Sequence, residues 1–318
     1  MISVPAARPP LAAPAMRLAR AVLGAGPMAR VTIPLRHVPG PGALANAARR
    51  RTRGANPQPR TPHTTLFRQI RAAWRLLLTV IHLLAGCATV AFRFPRWNAQ
   101  QRLDAKRRWS RELLGRLGVR LDIHGDIVSG GTLVVANHIS WLDIFVINAL
   151  RPCAFVCKDD VKSWPLIGWL VANTDTIFIE RGNRAAARRT ADAMVARLQS
   201  GAAMVVFPEG TTTNGTHMLP FRPALLQSAV DAGVPVSPVS IRYRDAKQAI
   251  SPAPAYDGDI SLWQCMRAIT LAEGLVAEAH ALAAVDSQSE RQHLAAHAKH
   301  EIAVQLGIPH HTPPHVQG

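Results

Sequence analysis

From Val119 onward, short apolar-rich runs alternate with segments of helical periodicity, and this alternation restricts the possible folds more than any other feature of the chain. The runs are Val119–Ile123, Gly131–Ala136, Ala154–Cys157, Thr176–Ile179, Ala203–Phe207 and Pro235–Ile241. The helical segments between them are Ser140–Ala149, Trp164–Val171, Arg184–Gln199 and Arg222–Ala232. Runs of this length suit strands buried on both faces. The order predicts an α/β domain with a mostly parallel central sheet flanked by helices.

The segment before this domain divides into two parts. Residues 1–65 hold eleven of the 24 prolines and no sustained apolar periodicity, which predicts a disordered basic leader. An organellar transit peptide and a start codon assigned too far upstream remain alternatives, since Met16 and Met28 follow. Residues 66–98 contain seventeen consecutive uncharged residues, Leu76–Phe92, with arginines on both sides. We expect a membrane-associated helical anchor there; a full span and a buried core helix are the alternatives.

The positive charge belongs to the N-terminal segment. Residues 1–103 contain sixteen arginines and no acidic residue, whereas residues 104–318 carry 21 basic and 20 acidic side chains. A nearly neutral main domain argues against a nucleic-acid-binding protein, despite a net charge of +17. Four cysteines in 318 residues are no disulfide framework, and they suit a reducing compartment. We place the main domain at residues 99–260 and a helical, alanine-rich C-terminal extension with a loose tail at 261–318.

A histidine and an aspartate stand five residues apart directly after the run Gly131–Ala136. The segment reads Asn137, His138, Ile139, Ser140, Trp141, Leu142, Asp143. Ligands of open α/β sheets bind at the carboxyl ends of strands. At this spacing the Asp143 carboxylate can reach the His138 imidazole, fix its tautomer and make it a better base for an alcohol proton. The alternative is a structural histidine beside a helix start that Ser140 and Asp143 stabilise.

Two further polar clusters follow predicted strands. After Ala203–Phe207, Glu209 offers an acceptor for a substrate hydroxyl, and the backbone N–H groups with three threonine hydroxyls suit a phosphate. After Thr176–Ile179, Arg181 offers a guanidinium fork for a phosphate or carboxylate. A solvated turn and a surface ion pair are the structural alternatives. Three such clusters in one α/β domain nevertheless favour a binding site.

Four ordered blocks resemble the lysophospholipid and glycerolipid acyltransferase family, typified by bacterial 1-acylglycerol-3-phosphate acyltransferases. The NHxSxxD block is similar to Asn137–Asp143. The remaining blocks are similar to Phe178–Arg181, to the FPEGT sequence of Phe207–Thr211 and to Val234–Val239. Lys158 with Trp164–Gly168 is similar as well, and the resemblance covers about residues 100–245.

The resemblance implies a glycerolipid acyltransferase-like catalytic domain in which His138 is the general base and Asp143 its partner. A glycerol hydroxyl then attacks the thioester of acyl-CoA or acyl carrier protein directly, with no acyl-enzyme, no metal and no cofactor beyond this co-substrate. It further implies that Arg181 binds the acceptor headgroup. The implied glycerol-positioning residues are Glu209, Gly210 and Thr211.

The chain departs from the family pattern at two positions of the acceptor site. The family usually has an arginine where Thr212 stands, and its FKKG sequence is similar here to Phe221-Arg222-Pro223-Ala224. Arg222 is therefore the basic residue retained in that block. Each charge-assisted contact to a phosphate is worth about 1.5–3 kcal/mol. Because Thr212 lacks the charge of the usual arginine, the acceptor headgroup need not be a phosphate.

We therefore expect transfer of an acyl chain to the sn-2 hydroxyl of 1-acylglycerol-3-phosphate, giving phosphatidic acid. The alternatives are O-acylation of lyso-ornithine lipid or another lysolipid, and a degenerate lipid-binding protein. The expected partners are a lysophospholipid acceptor, the thioester donor and a membrane bilayer, without nucleic acid. The expected location is the inner membrane, with the catalytic domain facing the cytoplasm.

Overall fold

A computed structural model describes residues 62–158, 167–179 and 184–309. The predicted leader, apart from its last four residues, lies outside the described residues. Within them the helices are α1 (Pro62–Phe92), α2 (Ala99–Leu117), α3 (Asp143–Leu150), α4 (Ile167–Ala172), α5 (Arg184–Gln199), α6 (Gln227–Ala232), α7 (Leu262–Leu271) and α8 (Arg291–Leu306). The strands are β1 (Arg120–His124), β2 (Thr132–Ala136), β3 (Ala154–Lys158), β4 (Thr176–Ile179), β5 (Ala203–Val206), β6 (Val236–Arg244) and β7 (Val276–Ala281). Short 3-10 turns lie at Phe94–Arg96 and Pro223–Leu226.

The strands form one sheet in the order β1-β7-β6-β2-β5-β3-β4. All neighbouring pairs are parallel except β6 and β7, which are antiparallel. Strands β1 and β7 therefore run opposite to the other five. The predicted α/β class with a mostly parallel sheet is confirmed. Strand β2 lies at the centre between β5 and β6 and is buried at all five residues, as its apolar sequence TLVVA requires.

Helices cover both faces of the sheet. Along β2, Val134 and Ala136 face one apolar core, while Leu133 and Val135 face the other. The first core is closed by side chains of α2, α3 and α7 and the second by side chains of α5, α6 and α8. This arrangement leaves the carboxyl end of β2 free to carry a loop between the two layers.

One part of the C-terminal prediction is wrong. Residues 276–281 form strand β7 in the interior of the sheet, whereas we expected only helix between Ser261 and Leu306. The sequence VAEAHA is rich in alanine, which favours helix, yet it alternates small apolar residues with Glu278 and His280 as a half-buried strand does. Pairing with β1 and β6 overrides the weak helical preference.

Helix α1 packs one face against the domain through α2 and α7. The His82 ring stacks on Trp109 with ring centroids 4.9 Å apart, and its Nε2 lies 3.0 Å from the Trp109 carbonyl oxygen. Gly86 permits this close approach, because a Cβ there would lie 2.6 Å from Trp109 Nε1. Arg75 donates to the carbonyl of Thr270 at the end of α7 over 2.9 Å.

The opposite face of α1 exposes large apolar side chains, which we call the α1 stripe: Leu66, Phe67, Ile70, Trp74, Leu77, Val80, Ile81 and Leu84. Trp74, for example, is 59% exposed. At 31 residues α1 is about 46 Å long. By length and composition it is able to cross a membrane. An apolar surface of this extent is typical of a membrane or protein contact.

Candidate active site

The loops that follow β2 and β5 meet at the carboxyl edge of the sheet. Val135 of β2 lies opposite Val206 of β5 in a parallel pair, so the segments after them emerge side by side. The backbone N–H of His138 donates to Glu209 Oε1 over 2.8 Å. The backbone N–H of Thr213 donates to the His138 carbonyl over 2.9 Å. Two of the three polar clusters in the sequence thus form one site.

His138 and Asp143 are in direct contact. The distance from His138 Nδ1 to Asp143 Oδ2 is 2.8 Å, and the two side chains are 20% and 0% exposed. A carboxylate only accepts, so Nδ1 carries a hydrogen, and in the neutral imidazole the lone pair is then on Nε2. No described residue hydrogen-bonds to Nε2. The imidazole lies flat on Phe207, with ring centroids 4.0 Å apart and 14° between planes. The geometry therefore fixes the orientation of the imidazole and leaves Nε2 without a partner among the described residues.

Four donors hold the buried Asp143 carboxylate. Oδ2 accepts from His138 Nδ1 and from the backbone N–H groups of Ile139 and Ser140, at 2.7 and 2.9 Å. Oδ1 accepts from the Tyr243 hydroxyl at 2.7 Å. A buried charge is costly unless it is hydrogen-bonded, and here both oxygens have partners. Ser140 is fully buried, and its hydroxyl oxygen accepts the backbone N–H of Leu142 over 3.3 Å, so its side chain helps to shape the loop.

Tyr243 and Asn137 also belong to this site, although no role was predicted for either of them from the sequence. Tyr243 lies on β6, one strand from β2, and is 1% exposed. Burial and the charge of Asp143 raise the pKa of Tyr243 well above 10, so its hydroxyl remains a donor. The Asn137 side chain exchanges two hydrogen bonds with the backbone of Ile241, at 2.9 and 2.8 Å. The sequence offers a weak signal for Tyr243, because a tyrosine buried in a strand needs a partner for its hydroxyl.

Tyr243→Phe is expected to lower kcat roughly tenfold with little change in KM, since it leaves Asp143 Oδ1 without its donor. The same loss lowers the free energy of unfolding by about 1–3 kcal/mol. Steady-state kinetics and thermal unfolding measure both effects. Tyr256→Phe is the matched control, because that hydroxyl makes no hydrogen bond within the described residues. Equal kcat values for the two variants would contradict a positioning role for Tyr243.

Glu209 is buried, and both of its carboxylate oxygens accept backbone N–H groups. Oε1 accepts from His138 and Oε2 from Leu219, each at 2.8 Å. Burial raises the pKa of Glu209, and these two hydrogen bonds oppose the rise. These contacts give Glu209 a structural task, because they hold the backbone of His138 against the turn. Its predicted contact with a substrate hydroxyl stays a prediction.

The turn after β5 brings Gly210 beside Arg222. Gly210 has φ +74°, and a Cβ there would lie 2.9 Å from Arg222 Cζ, so the turn requires glycine. Arg222 and Thr211 are exposed, and Arg222 is tied to the turn by its backbone N–H, which donates to the Pro208 carbonyl over 3.0 Å. The Thr212 hydroxyl donates to the carbonyl of Tyr256. Arg181, the remaining predicted headgroup residue, lies outside the described residues.

The sequence of this chain is similar to those of known acyltransferases. Residues 120–242 match the family model described as Acyltransferase. Over 136 residues the chain is 42% identical to a 1-acyl-sn-glycerol-3-phosphate acyltransferase of Neisseria gonorrhoeae, covering 43% of this chain and 53% of that protein. The chain thus spans about half the length of that relative.

Longer alignments are found with proteins named for another lipid. A lyso-ornithine lipid O-acyltransferase of Pseudomonas aeruginosa is 38% identical over 179 residues, covering 55% of this chain and 68% of that protein. A protein of the same name from Brucella abortus is 33% identical over 195 residues, covering 55% of this chain and 73% of that protein.

The fold has a solved counterpart. The crystal structure of the 1-acyl-sn-glycerophosphate acyltransferase PlsC from Thermotoga maritima superposes with a TM-score of 0.58 at 20% identity, covering 76% of this chain and 96% of that one. That likeness confirms the expected acyltransferase-like fold. Together with the alignments to the Pseudomonas and Brucella proteins, it shows that the chain belongs to the acyltransferase family.

Proposed function

We propose that this protein is an O-acyltransferase that moves a fatty acyl chain from acyl-CoA or acyl carrier protein to the sn-2 hydroxyl of 1-acylglycerol-3-phosphate. The observation that carries the proposal is the His138–Asp143 pair, with a 2.8 Å contact at Nδ1 and a basic Nε2 that no described residue occupies. The acyltransferase names of the relatives support the same reaction class.

The proposed step is a direct transfer. His138 Nε2 removes the proton of the acceptor hydroxyl as its oxygen attacks the thioester carbonyl, and Asp143 stabilises the imidazolium that forms. The new C–O bond gives a tetrahedral intermediate. Its collapse breaks the C–S bond, and the leaving thiolate takes the proton from His138. The imidazole returns to its starting form, and the products are the diacyl lipid and the free thiol.

Arg222 is placed to bind the phosphate of a phosphate-bearing acceptor. The Arg222 guanidinium lies against Gly210, on the turn whose Glu209 holds the backbone of His138. A phosphate bound by Arg222 therefore lies near the base, and we propose that Arg181 adds a second cation. Thr211, exposed on the same turn, offers a hydroxyl to the glycerol. No metal or cofactor takes part in this proposal.

The α1 stripe supports the proposal that acyl transfer takes place at a bilayer, where both the acceptor and the product reside. Because the opposite face of α1 is packed against α2 and α7, we propose that the helix lies in the membrane interface and buries its stripe among acyl chains. The thioester donors and the four free cysteines fit the cytoplasmic side of an inner membrane.

The double variant Trp74→Ser/Ile81→Asn is expected to weaken binding to phosphatidylcholine vesicles about tenfold or more. Burying a large apolar side chain contributes roughly 1.5–3 kcal/mol, and each of these side chains is more than half exposed on α1. Vesicle flotation measures the effect. Val304→Asn on α8 is the control, because Val304 is 57% exposed but lies on the other face of the sheet. Equal flotation of both variants would refute the interfacial placement.

Lyso-ornithine lipid is the second candidate acceptor. Thr212 replaces the arginine usual at that position, and its hydroxyl is engaged with the Tyr256 carbonyl, so it supplies no charge to a phosphate. The Pseudomonas and Brucella relatives with this activity in their names are covered over 68% and 73% of their lengths. An acceptor without a phosphate monoester needs fewer cations at the turn.

The deciding experiment is acyl transfer from labelled oleoyl-CoA by washed membranes that contain the full chain. Lysophosphatidic acid and lyso-ornithine lipid are offered separately, and His138→Ala and His293→Ala are assayed in parallel. We expect label in phosphatidic acid, lost only in His138→Ala. Label in ornithine lipid alone would replace the proposed acceptor by the second candidate. Incorporation that survives in His138→Ala would refute the proposed base.

A further inference from the structure

A cavity of about 530 Å³ lies outside the catalytic pair, between the first turns of α1, the segment after β6 and the helix α7. Its charged and amide-bearing lining residues are Arg68, Gln69, Asp245, Lys247, Gln248, Arg267 and Glu273. The cavity shares the carboxyl edge of β6 with the catalytic loops. The segment after β6 lines the cavity at Asp245 and continues to Tyr256, whose backbone N–H donates to the Ile139 carbonyl over 3.0 Å.

Positive charge exceeds negative charge around this cavity. Glu273 is engaged by Arg68 at 2.6 Å and lies 3.8 Å from Arg71 Nη2. Asp245 is also engaged, because its carboxylate accepts from the Ser251 hydroxyl at 2.6 Å and from two backbone N–H groups of its own loop.

Several donors near the cavity have no acceptor within the described part of the chain. Lys247 and Arg267 are exposed, and no hydrogen bond or ion pair of the described residues involves the ammonium group of the first or the guanidinium of the second. Arg71 Nε is buried and has no hydrogen-bond partner in the described part of the chain. Buried donors are normally paired, and a cavity lined by free cations attracts an anion.

Apolar side chains close to the cavity indicate which kind of molecule carries that anion. Phe67 and Ile70 of the α1 stripe flank Arg68 and Gln69 in sequence, and Trp263, one turn before Arg267 on α7, is 60% exposed. Apolar side chains beside cations match the boundary between acyl chains and headgroups. A soluble anion would gain nothing from the apolar neighbours, whereas a lipid uses both.

We infer that this cavity binds the phosphate group of an anionic bilayer lipid, as a second lipid site distinct from the acceptor site beside His138. Lys247 and Arg267 are its main ligands, with Arg68 and Gln69 at its α1 side. The role rests on the proposed bilayer association of α1. A lipid held there fixes the carboxyl edge of the sheet, with the catalytic loops, against the headgroup layer.

The test is flotation of the full chain with vesicles of pure phosphatidylcholine and of phosphatidylcholine with 30 mol% phosphatidylglycerol, at one ionic strength. Lys247→Gln/Arg267→Gln is compared with Arg291→Gln/Lys299→Gln, which removes the same two charges from α8 on the other face of the sheet. We expect the cavity variant to bind the anionic vesicles roughly tenfold more weakly than the control variant. Both variants should bind the neutral vesicles as the parent chain does.

Three results would overturn the inference. They are equal losses in the two variants, no preference of the parent chain for anionic vesicles, and selective release from them by inorganic phosphate against chloride at matched ionic strength, which would show a free anion as the ligand. Failure of the parent chain to bind either vesicle would instead refute the bilayer association on which the role rests. Matching thermal unfolding midpoints of the variants exclude misfolding as the cause of a loss.

Discussion

His138→Ala is expected to lower kcat by about 10³-fold while the protein keeps its fold. A positioned general base typically contributes 10²–10⁴-fold, and no other described side chain near Nε2 is placed to take the proton. The fold is retained because Asp143 Oδ2 keeps its two backbone donors, Ile139 and Ser140, after the change. Single-turnover acyl transfer and thermal unfolding measure the two quantities.

The matched control for this variant is His293→Ala, which removes an exposed imidazole on α8. It is expected to keep the parent rate within a factor of two. A loss in His138→Ala smaller than tenfold would mean that proton removal by His138 is not part of the rate-limiting chemistry.

Asp143→Asn is expected to lower kcat by about 10²–10⁴-fold with little change in KM. Asparagine is nearly isosteric, and its amide oxygen can still accept from the backbone of Ile139 and Ser140, so the loop is retained. It carries no charge to stabilise the imidazolium, and its NH₂ group takes the place of Oδ1, where it removes the acceptor of the Tyr243 hydroxyl. KM changes little because Asp143 is fully buried and does not reach the substrate.

Steady-state kinetics at saturating acceptor separate these two parameters. Asp192→Asn, an exposed aspartate of α5, is the control and is expected to behave as the parent chain does. A variant Asp143→Asn with a raised KM and unchanged kcat would show that the carboxylate serves binding and not the base.

The strands that lead to the site were predictable because their apolar sequences indicate burial on both faces of the sheet. Strands β2 and β5 are continuous apolar runs, and the polar residues that follow them were expected to meet at one sheet edge. His138 and Asp143 were recognised from their spacing and from the family blocks. The contact between them follows from local chain geometry, since the loop and the first turn of α3 separate them by only five residues.

The parts that the sequence did not reveal depend on distant pairing. Tyr243 is a hundred positions from the carboxylate that it holds, and only the placement of β6 beside β2 connects them. The hydrogen bonds of Glu209 were not predictable either, because the backbone N–H groups that its two oxygens accept become its neighbours only in the fold. Strand β7 was missed because an alanine-rich segment has little local preference for a strand.

The late position of β7 in the chain sets the order in which the sheet can be completed during synthesis. The register joins Asp122 of β1 to Glu278 of β7, a separation of more than 150 residues, and within the described chain β1 has no other strand partner. Such distant pairing slows folding, because a long loop must close first. The apolar helix α1 and the catalytic loops leave the ribosome well before β7 does. The last step of folding therefore waits for the C-terminal segment, and a nascent chain halted before residue 276 carries an open sheet edge and an exposed apolar helix.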